Sequence, residues 1–198
     1  MFYGLDIRST RKDYPAQLHH ALASDLIHLY SKEGDVVLDP FMGSGTVPLQ
    51  ATLNSRAGVG VDIEKKAIGV SYRSLSQPRF GEALQYILSQ GDARCLPFKD
   101  NSIDLVITSP PYGIQFHEDV YYGNHLGNIA NTQDWIGFRE NLKLCLAEIH
   151  RVLKPGKVAV FVTEDLIKFN YPLNAYLTVD AEEVGLHYYT RGVRLFLR

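Results

Sequence analysis

Strand-length apolar runs alternate with stretches of helical spacing along most of this chain, and that alternation restricts the fold more than any other feature. Val36-Val37-Leu38, Gly58-Val59-Gly60-Val61, Tyr86-Ile87-Leu88, Ile103 to Ile107 and Val158 to Val162 are the runs. Leu18, Leu22, Leu26 and Leu29 recur at helical spacing before the first run, and that helix is expected to stop before Gly34. Short helices are expected from Thr46 to Leu53 and from about Glu64. Pro48 is tolerated in the first of these because an opening turn has no amide partner to lose. From Trp135 the positions Phe138, Leu142, Cys145, Leu146, Ile149 and Leu153 trace one apolar helical face, ended by Lys154-Pro155-Gly156. A last helix runs from about Leu173 to Val184, closed by Gly185, before a final strand or tight hairpin. Strands separated by helices must cross over to pair side by side, so the expected class is α/β with a largely parallel sheet. Residues 113 to 131 have no clear period and read as a loop.

The chain has 198 residues, 45% hydrophobic and 21% charged. At about 100 to 200 residues per domain, this predicts a single domain over 1–198. No apolar stretch approaches the roughly 20 residues of a membrane span, and no basic segment leads into an apolar block at the N-terminus. The expectation is a soluble, cytoplasmic protein that does not touch a membrane. Of the two cysteines, Cys95 and Cys145, neither has a second Cys or a His pair at metal-ligand spacing. Both read as core thiols, with no disulfide framework and no metal site. The formal net charge is -2 and the pI about 6.4, which gives no global attraction to a polyanion. A local basic face can still bind one. Arg8, Arg11 and Lys12 form one such cluster, equally readable as a solvated arm.

Two motifs carry the chemistry. Asp39-Pro40-Phe41-Met42-Gly43-Ser44-Gly45-Thr46 follows the first strand, and Ser109-Pro110-Pro111-Tyr112 follows the fourth. Ligands of open α/β sheets bind beyond the carboxyl ends of the strands, where both motifs fall. Gly43 and Gly45 let the backbone bend sharply and let a ligand approach, while Thr46 opens a helix. The same pair would also serve a bare strand-to-helix turn. No Gly-Lys-Ser/Thr follows, so this is no phosphate loop, and the third glycine of a dinucleotide fingerprint is missing. A nucleoside without phosphates fits better. Asp62 ends the second strand where a carboxylate can accept from ribose hydroxyls, or cap the helix at Glu64. Asp92 is placed to accept from an adenine amino group. In Ser109-Pro110-Pro111-Tyr112 the prolines stiffen the backbone and remove donors, leaving the Pro110 carbonyl to face a cavity. The Ser109 hydroxyl and that carbonyl can each accept one hydrogen of an exocyclic amino group, and Tyr112 offers a ring to stack on, a contact worth about 1 to 3 kcal/mol in base-stacking sites. A Pro-Pro turn with a core tyrosine is the plainer alternative.

These two motifs, together with Tyr14-Pro15-Ala16-Gln17, Gly60-Val61-Asp62 and Arg151 to Gly156, resemble the signature of the DNA amino-methyltransferases. The order, cofactor motif before catalytic step, is similar to the family's cofactor-first arrangement. The resemblance implies a Rossmann-like three-layer sandwich, the class I fold of enzymes using S-adenosylmethionine (AdoMet). It implies cofactor contacts at Asp39, Pro40, Phe41, Gly43, Gly45, Thr46, Asp62, Ile63, Asp92 and Ala93, with Tyr14, Pro15, Ala16 and Gln17 near the methionine end. Ser109, Pro110, Pro111 and Tyr112 become the catalytic step. Within the family a leading Ser goes more often with cytosine N4 than with adenine N6, so the expected reaction is methylation of cytosine N4 in DNA. Adenine N6, an RNA base, or a non-catalytic AdoMet-binding subunit are the alternatives. A duplex hides the amino group, so a DNA target base would be flipped out, with Phe116, Tyr121 and Tyr122 available to receive it or fill the gap. Such enzymes usually carry an additional recognition region. Here either residues 113 to 131 with the N-terminal arm read a short site, or a second protomer or separate subunit does.

Overall fold

The strands β1 (Val36–Asp39), β2 (Ala57–Asp62), β3 (Tyr86–Gln90), β4 (Ile103–Thr108) and β5 (Leu153–Phe161) form one sheet in the order β3-β2-β1-β4-β5. Every pairing in it is parallel. The structure is a computed structural model that describes residues 18–76, 85–113, 123–163 and 172–188. Helices α1 (His20–Tyr30), α2 (Thr46–Leu53), α3 (Lys65–Leu75), α4 (Trp135–Val152) and α5 (Leu173–Glu183) make the connections. This is the expected α/β architecture. The Tyr14 to Gln17 segment, the Arg8, Arg11 and Lys12 cluster, the aromatics Phe116, Tyr121 and Tyr122, and the closing strand beyond Tyr188 lie outside the described residues.

Alternation along the central strands builds a core on each face. Leu38 and Val106 pack with Ile149 and Val152 of α4, whereas Val37, Leu105 and Ile107 pack with Leu26 and Ile27 of α1 and Val47 and Ala51 of α2. Each of those five strand side chains is fully buried, which stabilises the fold by about 1.5 to 3 kcal/mol apiece. Helix α4 presents Phe138, Leu142, Cys145, Leu146, Ile149 and Val152 to the interior, and Asp134 Oδ1 caps it by accepting from Gly137 N at 2.8 Å.

The chain runs from β1 outward to β3, then returns to lay β4 against the other side of β1. That reversal opens a crevice beyond the carboxyl ends of β1 and β4. Asp39 ends one of these strands and Thr108 the other, and Thr108 Oγ1 donates to Asp39 Oδ1 across the gap at 2.7 Å.

Three details differ from the sequence expectation. Cys145 is buried, but Cys95 is exposed. It sits in the turns between β3 and β4, its amide donating to Asp92 O at 2.9 Å, and its side chain faces away from the core. Lys154-Pro155-Gly156 does not separate helix from strand. Strand β5 starts at Leu153 opposite Ile103, bulges through this step, and resumes pairing at Val158 opposite Leu105. The bulge carries Lys154 and Lys157 onto Asp104, at 2.8 and 3.1 Å, at the end of the sheet remote from the crevice. Finally, Ile129–Asn131, within the stretch expected to be a loop, forms a 3-10 turn, with the Asn128 side chain accepting from Ala130 N.

Candidate active site

The glycine motif folds as a turn that only glycines accommodate. Gly43 and Gly45 take φ values of +50° and +81°, the left-handed region that costs other residues about 1 to 2 kcal/mol. A Cβ on Gly45 would also lie 2.8 Å from Ser71 Cβ. Both amides are engaged within the protein: Gly43 N donates to Asp62 Oδ2 at 2.9 Å, and Gly45 N donates to Met42 O at 2.8 Å. The glycines therefore shape the turn and, contrary to the sequence expectation of direct cofactor contacts, do not line the cleft. The ligand-facing groups of the motif are its neighbours Pro40, Phe41, Met42, Ser44 and Thr46.

Those neighbours form one wall of an open cleft. Asp39, Asp62, Ile63, Asp92 and Ala93 line it from the strand ends, and Ser109, Pro110 and Pro111 close the β4 side. Both motifs thus face one cavity. Tyr112 does not line it. Its half-buried ring packs with Phe41 and Trp135 against the cluster containing Phe138, Leu142 and Ile129.

Two buried carboxylates dominate the electrostatics. Burial pushes Asp39 up to about 7, against the opposing pull of the Thr108 hydroxyl and the Phe41 amide, with the Asp62 charge adding to the rise. Burial likewise pushes Asp62 up to about 6, although its oxygens accept from the Glu64 and Gly43 amides. Asp62 therefore fixes the glycine turn and the start of α3 together. Asp92 behaves oppositely: burial would raise it, but its hydrogen bonds and ion pair with Arg94 outweigh burial and hold it below the usual carboxylate range.

The Ser109-Pro110-Pro111 segment is anchored at the end of the sheet. Val162 N donates to Thr108 O at 2.8 Å, extending the β4–β5 pairing to the residue before Ser109. Pro110 and Pro111 are buried, and Ser109 is half-buried at the cleft.

Leu18, Gly127, Asn128 and Ile129 also line the cleft, and the sequence reading did not single them out. Leu18 follows directly on the Tyr14 to Gln17 segment. Gly127 to Ile129 sit in an aperiodic stretch, and only their tertiary tethers bring them in. Glu64 Oε1 accepts from His125 N and Asn128 Nδ2 at 3.0 and 2.9 Å.

The donor set suits AdoMet. Carboxylates at two strand ends can accept from ribose hydroxyls and favour a cationic ligand, apolar Phe41, Met42 and Ile63 can pack on a ring, and the glycine turn offers no phosphate cradle. Among the described residues no group of His, Cys, Asp and Glu could hold a metal ion, and no helix is long and apolar enough to cross a membrane.

Comparisons with known proteins agree. Residues 4–73 match the DNA methylase family. A type II methyltransferase of Haemophilus parainfluenzae, M.HpaI, is 43% identical over 65 residues, covering 33% of this chain and 21% of that protein. A tRNA (guanine(10)-N2)-dimethyltransferase of Methanothermobacter thermautotrophicus is 33% identical over 102 residues, covering 51% of this chain and 29% of that protein. The chain thus spans less than a third of the length of these curated relatives. Among solved structures, a SAM-dependent methyltransferase of Methanosarcina mazei superposes with a TM-score of 0.55 at 22% identity, over 81% of this chain and 63% of that one. The fold is that of the class I AdoMet-dependent methyltransferases. Both signature motifs face one cleft at the sheet's switch point, and residues 4–73, which hold the first of them, are similar to the DNA methylase family.

Proposed function

We propose that the chain transfers a methyl group from AdoMet to an exocyclic amino group of a base in DNA, with cytosine N4 as the target. The observation that carries this reading is the shared cleft, in which Ser109 and Pro110 face the same space as Asp39 and Asp62. Bound AdoMet supplies a methyl group made electrophilic by its sulfonium. The protein's part is then proximity, orientation and polarisation, with no metal required. Asp62 and Asp39 hold the cofactor's polar parts. The Ser109 hydroxyl and the Pro110 carbonyl accept the two amino hydrogens, which draws the nitrogen lone pair out of ring conjugation and points it at the methyl carbon. Ser109 is too weak a base to deprotonate the amine first. The nitrogen attacks while neutral and its proton departs as the new bond forms.

A second reading, an amino group of an RNA base, is favoured by the longer match to the tRNA guanine-N2 relative. Single-stranded sites also need less apparatus for reading them. Incubation with labelled AdoMet and either DNA or RNA, followed by mass analysis of digested nucleosides, separates the two. N4-methylcytosine in DNA is the expected product. Label confined to RNA guanine would reject the DNA reading, and AdoMet binding with no transfer to either polymer would reject methyl transfer.

A further inference from the structure

The cleft's far wall is held by a residue that does not line it. Arg94 donates from Nε to both carboxylate oxygens of Asp92 at 3.0 and 3.1 Å, and from Nη2 to Oδ2 at 2.7 Å, while its own amide donates to Oδ1 at 2.9 Å. The other hydrogen-bonding direction of Nη2 reaches Gly127 O at 3.0 Å, and Nη1 donates to Asn141 Oδ1 on α4. One guanidinium thus ties the turn after β3, the strap at Gly127 and the helix behind them. Gly127 is seated tightly, since a Cβ there would lie 2.9 Å from Ile63 Cδ1 and 3.3 Å from Arg94 Nη2.

Nε has a single hydrogen, shared between both oxygens and closer to Oδ1, so with Nη2 on Oδ2 and the backbone amide on Oδ1 three hydrogens meet the about four acceptor positions of the carboxylate. One position on Oδ2 is left, on a residue that lines the cleft. We propose that Arg94 is a positioning residue for the cofactor's adenine: it orients Asp92 so that one acceptor position meets the ring's 6-amino group, and it clamps Gly127 against Ile63 as the wall beside the ring. The inference rests on the cofactor reading above and adds to it the residue that sets adenine selectivity. Arg94 acts only through Asp92 and the strap. Its loss should therefore erase discrimination at one ring substituent, whereas a merely structural residue would weaken every ligand equally.

The test compares binding of S-adenosylhomocysteine with that of its analogue carrying hydrogen in place of the 6-amino group, measured by calorimetry on the wild type, Arg94→Gln and Arg94→Lys. The wild type should prefer the amino compound about tenfold, the scale of a single hydrogen bond to a charged group. Arg94→Gln should lower that ratio to about one to twofold, chiefly by weakening the amino compound. Arg94→Lys keeps the charge and guards against a misfolded Gln variant. It lacks the planar fork that grips both carboxylate oxygens, so its ratio should fall between the other two. A ratio that stays near tenfold in both variants, with both ligands weakened alike or not at all, would overturn the positioning role and leave the cofactor reading intact. Failure of the wild type to bind either compound would overturn both.

Discussion

AdoMet should bind more tightly as pH rises from about 5.5 to about 7.5, because two buried carboxylates line its cleft and a cationic ligand selects their ionised forms. Asp39 is pushed up to about 7 and Asp62 to about 6 from the ordinary 3.8, burial being the largest cause in each. Both values exceed those of the unfolded chain. The free protein therefore holds extra protons between about pH 4 and pH 7, and its stability should fall as pH climbs through that window. Cofactor binding must expel those protons. Across the stated range the ionised fraction of a group titrating near 7 grows about 25-fold, and that of one titrating near 6 about fourfold. Affinity should accordingly rise about fourfold where only Asp62 must be ionised, about 25-fold where only Asp39 must be, and about 100-fold where both must be. Calorimetry in buffers of different ionisation enthalpy measures the affinity and the proton release together. Asp39→Asn keeps an oxygen to accept from Thr108 Oγ1 and Phe41 N, which now converge on Oδ1 at 2.7 and 3.0 Å, and removes the titration. In that variant only the shallower dependence from Asp62 should remain. An affinity constant to within about twofold over the range, with no proton release, would refute the assignment of these carboxylates to the cofactor.

Three further outcomes follow from the geometry. Ser109→Ala should leave AdoMet affinity within about twofold and lower kcat by about 100-fold, comparable to removing one preorganised hydrogen-bonding group from an active site. Lost cofactor affinity instead would place Ser109 in the wrong role. Gly45→Ala puts a Cβ 2.8 Å from Ser71 Cβ at a φ of +81°, and should cost about 1 to 3 kcal/mol by chemical denaturation; a neutral result would mean that the turn relaxes freely. Asp104→Ala removes the acceptor of Lys154, Lys157 and the Val36 amide and should cost about 1 to 3 kcal/mol at neutral pH, with kcat/KM unchanged. Burial would raise Asp104, but Lys154, the Val36 amide and Lys157 outweigh it and hold it below its ordinary value. Its contribution should therefore fade as pH falls below about 4, and a wild-type advantage that persisted there would count against the ion network.

How much of this was legible in the sequence depended on whether the signal was local. The five strands and their helices could be read because each buries a face whose spacing is set by its own backbone, as Val37 and Leu38 do on opposite sides of β1. The cleft could be placed for a similar reason: motifs at the ends of β1 and β4 must meet if those strands are neighbours, and they are paired, Val37 with Leu105 and Leu38 with Val106. Residues whose role comes from a distant partner left no such trace. Asp62 was read as a ribose acceptor or a cap, and the structure adds a third duty, gripping the amide of Gly43 nineteen residues away. Gly127 to Ile129 have no period and no motif; they reach the cleft only because Glu64 and Arg94 hold them there. Cys95 departs from the expectation because its type favours burial on average, while its own position faces solvent in a turn whose buried side chains are Ala93 and Leu96. The same distinction bears on specificity. The parts visible from local pattern, glycine turn and proline step, are those the proposed transfer would use for any amino target. Contacts made across the fold, such as those of Arg94 with Asp92 and Gly127, are then where substitutions should alter selectivity without abolishing the proposed reaction.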